Sequence, residues 1–108
     1  MIDKDALVQR CGGDIGLVRE LLRDFLDRCD SEVETVQETP HLRRQAHRLK
    51  GLALNLGLGD LEVTAREVEE DAEQAEGSEE LRSSLLQSLR MACESARKLL
   101  SELDGEGE

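Results

Sequence analysis

The chain has 108 residues, a net charge of −11, 36 % charged residues, a single Phe and neither Trp nor Tyr, which suits one domain with a modest core. So acidic a chain is a poor nucleic-acid binder, because phosphate neutralisation by Lys and Arg dominates that affinity. No apolar run approaches the ~20 residues of a membrane span, and Met1 leads into IDKDALV with no signal-peptide pattern, so no membrane insertion and a cytoplasmic location are expected.

Five helices are read in chain order. A short one covers Asp3 to Arg10 and ends at Gly12-Gly13. Asp14 is a good N-cap for a long second helix to Glu38, with Val18, Leu22, Phe25, Cys29, Val33 and Val36 on one stripe. Thr39-Pro40 restarts the chain, Thr as N-cap and Pro as first helical residue. The third helix places Leu42, Ala46, Leu49, Ala53 and Leu56 at alternating spacings of four and three, then turns at Gly57-Leu58-Gly59. A fourth repeats the rhythm with Leu61, Ala65, Val68, Ala72 and Ala75 before Gly77-Ser78. The fifth carries Leu81, Leu85, Leu89, Ala92, Ala96, Leu99 and Leu103, leaving a frayed acidic tail at 104–108. Four long amphipathic helices with short turns bury their stripes by running antiparallel. The expected fold is therefore all-α, one domain over residues 1–103: an up-down-up-down four-helix bundle with a short extra N-terminal helix against one end. Cys11, Cys29 and Cys93 are odd in number and widely spaced, and are expected to be reduced and half-buried.

From Thr39 to Gly59 the chain has Arg43, Arg44, Arg48 and Lys50 but no acidic residue, although 25 occur elsewhere. A charge run is usually only a solvated face. Here residues 43, 44, 47, 50, 51 and 54 share one face of the third helix, so His47 lies at the surface among basic side chains. Gly51, one turn on, costs about 1 kcal/mol relative to Ala inside a helix. It leaves space beside the imidazole, or else admits a neighbouring helix. If the hairpin centres on residue 58, His47 lies level with Glu69. A carboxylate accepting from Nδ1–H would leave the Nε2 lone pair free. An exposed imidazole, cationic neighbours and a gap suit capture of a phosphoryl group.

AHRLKG, followed by Asn55, Gly57 and Leu61, resembles the histidine-containing phosphotransfer (HPt) domain family, marked by H-x-x-K-G and then Gly and Leu. The lead-in RCGGDIGLVRELLRDFL is also similar to that family's, so the resemblance covers nearly the whole chain. It implies that His47 accepts phosphate on Nε2 from a phospho-aspartate or a histidine kinase and passes it to a response-regulator receiver domain. Lys50 would attract the phosphoryl group, Gly51 leave it room, and Glu69 orient the ring. No cofactor or metal site is implied here, because the Mg²⁺ of transfer belongs to the receiver. A phosphocarrier rather than a complete enzyme is implied, and a monomer is expected.

Arg43, Arg44, Arg48 and Leu54 are expected to form the docking surface. Leu52 and Leu54 depart from the small residues usual in the family. A helical adaptor without phosphate chemistry, a diverged or engineered scaffold, and a fragment of a larger histidine kinase are the alternatives. His41, six residues before His47, is read as a solvated helix-start residue on a different face. No His or Cys pairs with His47 at a zinc-ligand spacing, and Asp24, Asp27 and Asp30 lack the Gly of a calcium loop.

Overall fold

The structure, a computed structural model, describes residues 2–71 and 78–106. Helix α1 spans Lys4–Arg10, α2 Ile15–Glu38, α3 Leu42–Leu56, α4 Gly59–Glu70 and α5 Glu79–Glu106. Asp3 and Asp14 cap α1 and α2 by accepting from Ala6 N–H and Leu17 N–H, each at 3.1 Å. Between them Gly12 and Gly13 take positive φ, as the tight turn demands. Gly57 ends α3 in the left-handed conformation (φ 69°), and Leu58 N–H then bonds back to Ala53 C=O at 2.9 Å.

The helices form the expected antiparallel four-helix bundle: α3 packs on α4, α2 on α5, and contacts of α2 with α3 and of α4 with α5 close the ring. At 1.5 Å per residue, α2 and α5 are about 36 and 42 Å long, whereas α3 and α4 are about 22 and 18 Å. The long pair therefore overshoots the α3–α4 hairpin, and the molecule is elongated, 48 × 22 × 16 Å. Helix α1 helps to cover the exposed shoulder. Its Leu7 is buried, Ile2 bridges to Leu58 of the hairpin, and Arg10 Nη1 donates to Leu54 C=O. At the overshooting end Arg19 donates to Leu103 C=O at 2.6 Å and pairs with Asp104 at 3.3 Å. At the other end Arg82 donates to the Val36 and Thr39 carbonyls, which the α2 ladder leaves without partners.

Four sequence expectations are corrected. Helix α3 starts at Leu42 with His41 as N-cap, two residues later than expected. Proline drives the preceding residue towards extended backbone, so Thr39 (ψ 133°) closes α2 instead, and its Oγ1 accepts from His41 N–H. Helix α5 continues to Glu106, into the expected tail, with Asp104 held by Arg19 and Arg23. Cys29 and Cys93 are not free thiols: they form a disulfide between α2 and α5, with Cα atoms 6.2 Å apart, and Cys11 alone is free. Lastly, Val33 is only half-buried and Glu32 takes its place on the buried stripe of α2. Ala72, Ala75 and Gly77 lie outside the described residues.

Candidate functional site

The site grows out of the α3–α4 hairpin. Both helices turn an apolar stripe inward, Leu42, Ala46, Leu49, Ala53 and Leu56 from one and Leu61, Ala65 and Val68 from the other, all buried. With those stripes in contact, His47 and Glu69 emerge level at the edge of the seam. His47 Nδ1 lies 2.7 Å from Glu69 Oε1, and the imidazole is 70 % exposed against 22 % for the carboxylate. With Nδ1 occupied, Nε2 is the ring nitrogen left for chemistry.

Lys50 does not project into solvent beside His47, as its place on the basic face suggested. Its ammonium sits 2.6 Å from Glu69 Oε2 and is about one-quarter exposed. The Glu69 carboxylate is thus gripped on both oxygens. Hydrogen bonds from Lys50 first, and His47 second, hold its pKa below the usual carboxylate range.

The remaining basic residues separate into two groups. Arg43 and Arg44 join His41, His47 and Glu69 around an open hollow of about 420 Å³. Arg48 leaves the expected patch and pairs with Glu32 of α2 at 2.7 Å. His41 is exposed at the start of α3, yet it shares the hollow with His47 rather than facing elsewhere. The 100° rule does not apply across a cap: His41 has φ −111° and ψ 60°, outside the helical register.

A Cβ added at Gly51 would meet nothing within 4 Å, which removes helix packing as the reason for that glycine. Leu54 is 47 % exposed on the same face, whereas Leu52 is half-buried against the core. Glu32 and Gln45 were not anticipated. Both are buried, and Gln45 Nε2 donates to Glu32 Oε2 while Arg48 holds Oε1. The signal was present: residues 18, 22, 25, 29, 32 and 36 continue one four-three rhythm, so Glu32 occupies a core position that demands partners.

A second hollow, bounded by Ile2, Leu58, Leu61, Met91 and Leu99, is more apolar and carries no histidine. Among the described residues no helix is long and apolar enough to cross a membrane, and no group of three or more His, Cys, Asp and Glu side chains is placed to hold a metal ion. A model of the Hpt domain family matches residues 15–105. No curated protein and no solved structure matches the chain.

Proposed function

Since the chain belongs to the Hpt domain family, whose members are phosphocarriers in phosphorelays, we propose that it carries a phosphoryl group on His47. The group passes from a histidine kinase or a phosphorylated receiver to the aspartate of a response-regulator receiver domain. The observation that supports this most is the Nδ1–Glu69 contact at 2.7 Å beneath a largely exposed ring.

In the neutral imidazole, Nδ1–H donates to Glu69 and the Nε2 lone pair is free to attack phosphorus. With a phosphorylated receiver as donor, the N–P bond forms as the acyl-phosphate P–O bond breaks, and the electron pair leaves on the aspartate carboxylate. The ring, still carrying its Nδ1 proton, becomes cationic, and Glu69 stabilises that charge as the buried carboxylate of a catalytic triad does. Reversal delivers the group to the next aspartate. Lys50 keeps Glu69 ionised and aimed. Gly51 and Leu54 lie in the docking surface, the Mg²⁺ of transfer is the receiver's, and the carrier works as a cytoplasmic monomer.

The test is incubation with a phosphorylated receiver or a histidine kinase. Acid-labile, base-stable phosphate is expected on the wild-type chain and on His41→Gln, and none on His47→Gln. Undiminished labelling of His47→Gln would refute the assignment. The exposure of Leu54 favours one other reading, an adaptor that seats a partner helix without phosphate chemistry. Receiver binding with no labelling would establish it.

A further inference from the structure

We propose that Glu32 of α2 is a positioning residue for phosphoryl transfer: by holding Gln45 and Arg48 it fixes the roll of α3 about its own axis and so keeps the His47 ring on Glu69. This role rests on His47 being the phosphoacceptor.

Helix α3 is gripped on both flanks by a carboxylate from a neighbouring helix. At 3.6 residues per turn, Gln45 and Arg48 lie about 100° to one side of its buried stripe, and His47 and Lys50 about 100° to the other. The first pair meets Glu32: Gln45 Nε2 donates to Oε2, and Arg48 Nη2 stands 2.7 Å from Oε1. The second pair meets Glu69: His47 Nδ1 is 2.7 Å from Oε1, and Lys50 Nζ is 2.6 Å from Oε2. Each carboxylate therefore spans one turn of α3, with one oxygen for each side chain. Because the two grips lie on opposite flanks, a roll in either direction displaces both pairs.

Small rolls matter. A ring about 6 Å from the helix axis moves about 1 Å for a roll of about 10°. That is enough to break a hydrogen bond of normal length, and a misplacement of this size at a reacting group can cost about 100-fold in rate. Apolar burial does not oppose such a roll strongly, because it is non-directional. Hydrogen bonds to a fixed carboxylate do oppose it.

The placement of Glu32 fits this task. It continues the buried stripe of α2, and its side chain is only 5 % exposed. A leucine there would complete the stripe without desolvating a charge, so what the carboxylate adds is direction rather than stability. It also stands on a firm base, since Cys29, one turn earlier, ties α2 covalently to α5.

The test measures labelling by a small phosphoramidate donor, well below the melting temperature, so that no receiver docking enters the rate. Glu32→Leu/Gln45→Leu replaces the network with hydrocarbon of similar volume and releases Arg48, already 59 % exposed, into solvent. It should melt at or above the wild-type temperature, label His47 about tenfold more slowly or worse, and shift the His47 ring ¹⁵N signals. In a Glu69→Ala background the same change should slow labelling by no more than about twofold further, because the contact that Glu32 protects is already gone. Glu32→Gln keeps the shape but not the charge. It should show the same slowing and ring shift in smaller measure, and it carries the test if the double variant does not fold.

A wild-type rate or unmoved ring signals in the folded double variant would overturn the role of Glu32, and in its place the same results in Glu32→Gln would do so. Slowing that multiplies in full with that of Glu69→Ala would also overturn it. A wild-type chain that takes no phosphate on His47 overturns the parent reading, whereas the ring signals, read on the unlabelled chain, test the hold on His47 separately.

Discussion

Replacing Gly51 with Ala separates what the domain needs from what a partner needs. The residue lies inside α3, and an added methyl group would touch nothing within 4 Å. The folded state therefore gains the helix preference of Ala over Gly, about 1 kcal/mol, with no steric penalty to offset it. At about 2.1 cal/mol/K of unfolding entropy per residue, that gain should raise the melting temperature of a 108-residue chain by about 4 °C. Thermal melts followed by far-ultraviolet circular dichroism, with the disulfide intact in both proteins, measure it. In parallel, labelling by a small phosphodonor should be nearly unchanged, whereas transfer from a phosphorylated receiver should slow, because the methyl group intrudes where two backbones approach. A fall in melting temperature would mean that the space beside His47 is not open. A rise with unaltered receiver transfer would refute the idea that this glycine serves partner approach.

Three other outcomes are expected. The Cys29–Cys93 bridge spans 64 residues of sequence, so chain entropy assigns it about 4 kcal/mol. Cys29→Ala/Cys93→Ala should melt more than about 10 °C lower, and a shift below about 3 °C would show that the bridge adds little. Leu54→Ala should change stability by no more than about 0.5 kcal/mol, as for a surface position, while speeding transfer from a non-cognate receiver and sparing small-donor labelling; a loss of ~2 kcal/mol or more would mark Leu54 as core. The pKa of Glu69 is lowered on folding, so its contribution to stability is present above the unfolded value and lost as pH falls through the folded one. Glu69→Gln should therefore flatten the stability–pH curve below roughly pH 4 to 5, and an unaltered acid limb in urea titrations would contradict the two hydrogen bonds.

The helices and their pairing were legible in the sequence because the information is local. A four-three apolar rhythm sets which face turns inward, capping residues such as Asp14 and Gly57 mark the ends, and a short turn obliges neighbours to run antiparallel. That was enough to put His47 level with Glu69, since register in a tight hairpin follows from counting outward from the turn. Counting does not say which way a long side chain reaches. Lys50 and Arg48 both belong to a basic segment, yet tertiary structure sends the first to Glu69 and the second to buried Glu32. A lysine or arginine has several rotatable bonds, so its partner is chosen by whichever carboxylate the neighbouring helix brings within reach. His41 entered the hollow because a cap residue escapes the helical repeat. Cys29 and Cys93 met because α2 and α5 are adjacent across the bundle, a contact between segments 64 residues apart that no local rhythm encodes.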